Sequence, residues 1–445
     1  MIENDAFKLL LINLFHLNPD DIANILCTTF NKMMVLVVTL TDKHQACPYC
    51  GFTAPKIKEY VTKEITHSAL TTQKCIIKYR ARRYKCSCCG KTYYEFNPFV
   101  FKSQKISILT VHNILKDLKD FNETFTSVAR RYHVSPTSVS TIFDKHVDIG
   151  RNPLPEIINF DEVYAFKSEK SKYVCVLLDF KKQIPVDVLP NRKKEYLLNY
   201  FQKIPLEERK KVKYACSDMY EVYRDVVHKV FPEAKLLLDY FHLSQDFHKK
   251  MNEVRIKVMK GYKDNKASDE YYLLKKFNWL LFKNPEDEDK YGRLFDVERE
   301  RKYNSHFKSY MNYYDLRKKL LEINNDLTIC YSLKLELVDF YSKSTIDNAK
   351  VNLENLIRSC IDTNIDEMIA FSNNLINWKQ EIINSFTIVG TEYKVEADKG
   401  QVVVCNKKVN NAIIENRNKI IKCIKNNANG YTNWSRFRNR VMYVL

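Results

Sequence analysis

Five short apolar segments between residues 155 and 239 constrain the fold of this chain more than any other feature. Each is rich in Val, Ile, Leu or Phe over a length typical of buried β-strands. They span 155–163, 173–180, 184–189, 212–218 and 234–239. Apolar residues at helical spacing separate the third segment from the fourth, and the fourth from the fifth. This order predicts a mixed α/β domain in the middle of the chain.

Three of these predicted strands lead into carboxylates. The first reaches Asp161 and Glu162, the fourth ends at Asp218 and the fifth ends at Asp239. Carboxylates at strand ends are usually solvated, but a strand can also hold a metal ligand rigidly. Three strands followed by helix, strand, helix and strand is the order of the ribonuclease H-like fold. That fold places metal-binding carboxylates on its first and fourth strands, which here are Asp161 and Asp218.

Two Cys-x-x-Cys-Gly motifs predict a separate metal-binding domain before the strands. Their glycines permit the tight turns that point two thiolates at one metal. Two such turns build a tetrahedral four-thiolate site, which favours structural Zn²⁺. The predicted ligands of this zinc ribbon are Cys47, Cys50, Cys86 and Cys89. We expect Cys75 and Cys88 to be spare thiols, with His44 or His67 as an alternative ligand.

The net charge of +18 is concentrated in two segments. Residues 71–106 and residues 401–445 each hold nine Lys and Arg against one Glu. Such patches suit a polyanion. The longest mostly apolar run, 33–40, is far too short to span a membrane, so nucleic acid is the favoured partner. The acidic start does not resemble a signal peptide, and thirteen scattered cysteines do not resemble a disulfide framework, so we expect a reducing cytoplasm.

Several basic residues within these two segments are predicted to contact DNA. In the first segment they alternate with tyrosines, a surface that can hold phosphates and stack on sugars or bases. They are Arg80, Arg82, Arg83 and Lys85 in the first segment, and Arg436 and Arg438 in the second.

Residues 126–143 have the layout of a helix-turn-helix. Val134 closes the turn, Ser135 can cap the second helix, and Pro136 lies in its first turn. The residues expected to face the major groove of DNA are Thr137, Ser138 and Ser140. Small helical hairpins that bind no DNA have the same pattern. Here the motif follows a basic zinc ribbon, which favours DNA binding.

The last basic segment contains one acid on an amphipathic helix. Glu415 is the only acid after residue 401, and a lone Glu among cations is normally a surface salt-bridge partner. With Asp161 and Asp218, however, it would complete a three-carboxylate metal pocket. The predicted buried stripe of the helix is Ile413, Ile414, Ile420, Ile421 and Ile424. The opposite face carries Asn411, Glu415, Asn418 and Lys422.

Two further segments leave their roles open. Asp239 and His242 form either a metal site or a structural clasp at a helix start. The clasp is preferred, because Asp161 and Asp218 already supply anionic ligands. From about 244 to 395 the pattern is helical throughout and contains no visible chemistry.

Together these motifs resemble a bacterial insertion-sequence transposase of the DDE class, in the ISL-three group. The resemblance covers almost the full length. It rests on the cysteine motifs, the helix-turn-helix, Phe-Asp-Glu at 160–162, Ser-Asp-Met-Tyr at 217–220, Asp-Tyr-Phe-His at 239–242 and Ile-Glu-Asn-Arg-Asn-Lys-Ile-Ile-Lys at 414–422. Many relatives carry glycines around the last acid, where this chain has Ala412 and Asn416.

The resemblance implies a catalytic triad of Asp161, Asp218 and Glu415, with Asp239 and His242 as an acid-x-x-His motif near the active site. It implies an enzyme that binds inverted-repeat ends, nicks them and joins the freed 3′ ends to target DNA. We expect Mg²⁺ or Mn²⁺ at the carboxylates and a homodimer on DNA at the bacterial nucleoid. The alternatives are a DNA-binding regulator without enzymatic activity and a nuclease without strand transfer.

The expected fold is a multidomain α+β chain with six parts. They are a helical leader (1–43), a zinc ribbon (44–100), a helix-turn-helix (101–150), the first part of a ribonuclease H-like core (151–245), a large all-α insertion (246–396), and a final segment with the Glu-bearing helix and basic C-terminus (397–445).

Overall fold

The computed structural model describes residues 2–43, 46–53, 55–102, 104–166, 171–395 and 402–445. The chain forms two compact units. Unit 1 comprises Met1–Arg151, Tyr164–Ser168 and Lys419–Leu445, and unit 2 comprises Asn152–Val163 and Glu169–Asn418. It is a mixed α/β, multidomain protein, as the sequence predicted.

The strands in chain order are β1 (Ile22–Phe30), β2 (Met33–Leu40), β3 (Lys56–Thr66), β4 (Cys75–Lys85), β5 (Thr92–Tyr94), β6 (Ile157–Val163), β7 (Val174–Asp179), β8 (Pro185–Leu189), β9 (Tyr214–Ser217), β10 (Lys235–Leu238), β11 (Glu288–Asp289), β12 (Gly292–Arg293), β13 (Lys302–Asn304), β14 (Ser309–Met311), β15 (Ile388–Val395) and β16 (Val402–Lys408).

The α-helices are α1 (Ile2–Leu14), α2 (Ile108–Asp117), α3 (Phe125–Arg131), α4 (Pro136–His146), α5 (Lys194–Gln202), α6 (Leu206–Arg209), α7 (Glu221–Val230), α8 (Tyr240–Lys260), α9 (Asp269–Lys276), α10 (Tyr313–Glu322), α11 (Asn325–Lys343), α12 (Ala349–Asp362), α13 (Asp366–Asn377), α14 (Lys379–Asn384), α15 (Ala412–Asn427) and α16 (Trp434–Val444). Pro19–Asp21 and Asn278–Phe282 form short 3₁₀ turns. Within the described residues, none of the helices has the length and apolar character that a membrane span needs.

Unit 1 contains a sheet of order β1-β2-β4-β3, with β5 also paired to β4. β3 and β4 form a long antiparallel hairpin, so the two cysteine motifs lie at its open end. Alternate residues of β4, including Ile77 and Ala81, face the core. Leu11 and Phe15 close that core from the α1 side.

The helices α2, α3 and α4 form a second core in unit 1. Ser135 caps α4 by accepting a hydrogen bond from the Ser138 N–H, and Pro136 begins the helix, as predicted. Val139 and Phe143 are fully buried. The final helix α16 packs against this core through Tyr443, whose ring centroid lies 5.8 Å from that of Phe143.

Unit 2 contains a sheet of order β10-β9-β6-β7-β8. β6, β7 and β8 are antiparallel, whereas β9 and β10 run parallel to β6. All five predicted strands are therefore confirmed. The first of them, predicted over 155–163, runs from Ile157 to Val163 and pairs with β7 beyond the end of its pairing with β9.

The segment from 244 to 395 is not helical throughout. Two small hairpins, β11–β12 and β13–β14, interrupt it, and β15 begins at Ile388. Gly292, the first residue of β12, follows the turn of the first hairpin with φ of +95°, a conformation that glycine adopts readily. These strands are only two or three residues long, so no apolar period can reveal them in the sequence. The insertion therefore contains strands as well as helices.

Candidate active site and metal centre

The acids predicted from the strand pattern lie at one edge of the unit 2 sheet. Because β6, β9 and β10 are parallel, their carboxyl ends meet at the same edge. Asp161 lies in β6 just beyond Asn159, the last residue that pairs with β9. Asp218 and Asp239 directly follow β9 and β10. Asp161 and Asp239 are buried, with 8% and 4% of their surface exposed.

An asparagine pair ties the start of α15 to β6. Asn159 Nδ2 donates to the carbonyl oxygen of Asn410 at 2.8 Å and to Asn411 Oδ1 at 2.7 Å. Asn159 and Asn411 are fully buried, where an unpaired amide would be costly. The pair therefore fixes the helix that carries Glu415 against the strand that carries Asp161.

Asn418 links the same helix to the carboxylate of Asp161. Its Nδ2 donates to Asp161 Oδ2 at 2.7 Å, and the Glu162 backbone N–H donates to Asp161 Oδ1 at 2.7 Å. Asn418 is 5% exposed. Its Oδ1 has no hydrogen-bond partner among the described residues. Asp161, in β6, is thus held in one orientation by Asn418 of α15.

Glu415 meets Asp239 and His242. Asp239 directly precedes α8, and His242 lies in the first turn of that helix. His242 Nε2 lies 3.8 Å from Asp239 Oδ2 and 3.9 Å from Glu415 Oε1. One ligand atom from each of the three residues lies within 4.8 Å of the others. Three side chains at such distances can surround a metal ion.

The three aspartates at this edge have raised pKa values. Burial raises the pKa of Asp161 to about 7, and the carboxylates of Asp218 and Glu415 act in the same direction, although a backbone hydrogen bond opposes the rise. Burial also raises the pKa of Asp218 and of Asp239, with His242 opposing both shifts. Asp218 Oδ1 has no hydrogen-bond partner in the described part of the chain. Carboxylate oxygens of this kind fit a hard divalent cation.

Sequence reasoning missed two other residues of this edge. Arg192 pairs with Glu162, and its guanidinium lies 4.6 Å from the ring centroid of Tyr173 and 4.8 Å from that of Tyr220. No pattern in the basic loop around Arg192 predicts its role. The sequence could have indicated Asn159, because it is a lone amide in an apolar strand.

The four predicted cysteine ligands form a second cluster, in unit 1. One Sγ–Sγ distance is 3.7 Å, between Cys47 and Cys89, and another is 3.5 Å, between Cys50 and Cys86. All four sulfur atoms lie within 4.8 Å of one another. Gly51 and Gly90 adopt φ of +75° and +70°, so each motif makes the tight turn that glycine permits. The cluster is compatible with one tetrahedral Zn²⁺.

The two spare thiols, Cys75 and Cys88, and the alternative ligand His67 are not part of this cluster. Cys88 is exposed and Cys75 is buried in β4. His67 is buried and bonded through its ring nitrogens to Phe15 O at 2.8 Å and to Ser107 Oγ at 2.9 Å. His44 lies outside the described residues.

Two of the basic residues of the ribbon are exposed, and two are paired with acids of the protein. Arg80 and Lys85 are exposed. The guanidinium of Arg82 is bonded to Glu95 at 2.8 Å, and that of Arg83 is bonded to Glu59 at 2.6 Å.

The remaining predicted DNA contacts lie on α4 and α16. Thr137 is exposed, whereas Ser138 and Ser140 are half-buried in the first turns of α4. Arg436 pairs with Asp144 at 2.6 Å, and Arg438 donates to the carbonyl oxygen of Ile149 at 2.6 Å. The two arginines thus contribute to the packing of α16 within unit 1.

Two comparisons with known proteins bear on this site. A family model described as Transposase, of the ISL-three group of DDE enzymes, matches residues 158–397, more than half of the chain. The transposase for insertion sequence element IS1001 of Bordetella parapertussis is 19% identical over 393 residues, which cover 88% of this chain and 86% of that protein. The family match includes Asp161, Asp218, Asp239 and His242, and ends before Glu415.

Proposed function

Because the chain belongs to the ISL-three family of DDE transposases, we propose that it binds the terminal inverted repeats of an insertion sequence, cuts the DNA there and joins the freed 3′ ends to a target. The observation that most supports this proposal is the convergence of Glu415 with the strand-edge acids, from which it is far apart in sequence. A regulator that only binds DNA would have no need of such a cluster.

A ribonuclease H-like core is part of the proposal. The antiparallel strands β6 to β8, followed by the parallel strands β9 and β10, support it. The functional division into ribbon (44–100), helix-turn-helix (101–150), core (151–245 and 397–445) and insertion (246–396) remains a proposal.

We assign Asp161, Asp218 and Glu415 as the metal-binding catalytic residues. Divalent cations bound there would activate a water or a DNA 3′-hydroxyl and stabilise the leaving oxygen during attack on a phosphate. Carboxylate oxygens favour Mg²⁺ or Mn²⁺ for this role. Three asparagines orient these acids. Asn418 holds Asp161 in one orientation. The pair formed by Asn159 and Asn411 fixes the helix that carries Glu415 against the strand that carries Asp161.

Unit 1 would bind the DNA, with Zn²⁺ in the four-cysteine cluster as a structural ion. The proposed contacts are Arg80, Arg82, Arg83, Lys85, Thr137, Ser138, Ser140, Arg436 and Arg438. Because Arg82, Arg83 and Arg436 are paired with acids, we expect Arg80 and Lys85 to contribute more. Action as a homodimer and location at the nucleoid remain predictions.

The direct test is incubation of the protein with DNA from the flanks of its own gene, Mg²⁺ and a target plasmid. We expect nicks at the inverted-repeat boundaries and covalent joining of the new 3′ ends to the plasmid, both mapped by sequencing. Binding without nicks would support the regulator instead. Nicks without joining would support a nuclease.

A further inference from the structure

We propose that Asp239, His242 and Glu415 form a cation site with a nitrogen ligand, which binds a first-row transition ion such as Mn²⁺ in preference to Mg²⁺. The inference extends the proposed function, because Glu415 would belong both to this site and to the catalytic carboxylates. It concerns the ligand set, and its test is therefore independent of DNA cleavage.

The distances suit a bridging ion better than direct contact. His242 Nε2 lies 3.8 Å from Asp239 Oδ2 and 3.9 Å from Glu415 Oε1. Both distances are too long for a hydrogen bond. Two ligands that each bind one ion at about 2.0–2.2 Å can lie up to about 4.4 Å apart. Both His242 distances fall within that limit.

His242 Nε2 is also without a partner, which argues against a structural clasp. The atom is buried and has no hydrogen-bond partner among the described residues. A clasp at the start of α8 would satisfy that nitrogen directly, since buried polar atoms are nearly always paired. A cation between His242 and the two carboxylates would satisfy it and offset their charge.

The unpaired oxygen atoms nearby are an independent observation. Asn418 is more than nine-tenths buried, and its Oδ1 lacks a hydrogen-bond partner in the described part of the chain, as does Asp218 Oδ1. Asn418 is bonded to Asp161 through its other amide atom. This edge therefore offers more ligand oxygens than the protein itself can satisfy, which is the condition expected around bound cations.

The nitrogen determines which ion binds. Mg²⁺ strongly prefers oxygen ligands, whereas first-row transition ions accept imidazole together with carboxylates. Mn²⁺ is the most stringent probe, because it stands lowest in the affinity order of those ions. It also has little affinity for thiolates, so the four-cysteine cluster should not compete for it.

Pulsed electron paramagnetic resonance tests the proposal on full-length protein that holds one Zn²⁺ per chain, with no free Zn²⁺ left to compete with the added Mn²⁺. We expect ¹⁴N modulation from an imidazole ligand, and displacement of Mn²⁺ only by a large excess of Mg²⁺. His242→Gln should remove the modulation and weaken Mn²⁺ binding by about tenfold or more, with Mg²⁺ binding nearly unchanged. His228→Gln, on an exposed position of α7, should behave as the wild type.

Wild-type protein without ¹⁴N modulation overturns the inference whatever the variants do. So does a His242→Gln protein that keeps the modulation and the wild-type Mn²⁺ affinity. If DNA is cut but no nitrogen binds the ion, the proposed function stands and this inference fails. If the nitrogen-ligated ion is present but DNA is never cut, the site stands and the proposed function fails.

Discussion

At the scale of single residues, Asp161 determines how the candidate site responds to pH. Burial and neighbouring carboxylates raise its pKa from 3.8 to about 7. Between those values the folded protein keeps a proton that the unfolded chain releases. The unfolded state then binds fewer protons, so the free energy of unfolding falls as pH rises through that window.

Asp161→Asn should remove this contribution, because the amide does not ionise. With zinc in the four-cysteine cluster and no free divalent cation in the buffer, we expect the variant to be more stable than wild type at about pH 8. The difference in free energy of unfolding between the variant and wild type should narrow, by up to roughly 1.4 kcal/mol per pH unit, as pH falls towards about 4. Urea unfolding at each pH measures both free energies. Asp362→Asn, on an exposed position, is the control, and a wild-type slope in Asp161→Asn would contradict the assignment.

Asn418 should tune the same carboxylate without contributing a charge. Its amide donates to Asp161 and so favours the ionised form. Asn418→Ala should raise the pKa of Asp161, shift the rate–pH profile of DNA cleavage to higher pH, and slow cleavage by about tenfold or more. Asn416→Ala, an exposed change on the same helix, should keep both rate and profile. Identical profiles for the two variants would show that Asn418 does not position Asp161.

At the scale of structural elements, the two cysteine turns should stabilise the β3–β4 hairpin through one Zn²⁺. Cys89→Ser removes a proposed ligand, so we expect loss of bound zinc and a lower melting temperature, measured by atomic emission and circular dichroism. The matched control is Cys88→Ser, which changes the exposed neighbouring thiol and should retain one zinc per chain. Full zinc content in Cys89→Ser would disprove the ligand assignment.

The surface of the same hairpin should set the salt dependence of DNA binding. Arg80→Ala and Lys85→Ala should each reduce the slope of log K against log salt by roughly 0.9, the loss of one phosphate contact. Arg82→Ala should instead lower stability, because it leaves the buried carboxylate of Glu95 without its positively charged partner. Titrations at several salt concentrations measure the slopes, and unchanged slopes would remove Arg80 and Lys85 from the interface.

At the scale of the whole molecule, local patterns predicted local structure well. The five strands of unit 2 follow from their apolar runs, and the cap of α4 follows from Ser135 and Pro136. The predicted stripe of α15 holds only in part: Ile414, Ile421 and Ile424 are buried, whereas Ile413 and Ile420 are half-buried. Asn411 and Asn418, expected on the opposite face, are buried as well.

Long-range partners could not be derived in that way. The approach of His242 to Glu415 depends on the paths of two helices, and no periodicity encodes those paths. The return of Lys419–Leu445 to unit 1 is of the same kind. Within that segment the buried Arg440 donates to the carbonyl oxygens of Asp120 and Glu123. In the sequence Arg440 looks like one more surface cation.

The central claim is that Glu415 acts with Asp161 and Asp218 in cutting and joining DNA. The most direct measurement compares Glu415→Gln with Glu322→Gln, the same change on an exposed part of α10, in DNA binding, cleavage and strand transfer. We expect Glu415→Gln to bind inverted-repeat DNA as the wild type does but to produce neither nicks nor joined products, while Glu322→Gln remains fully active. A Glu415→Gln protein that still cuts and joins DNA would contradict the account.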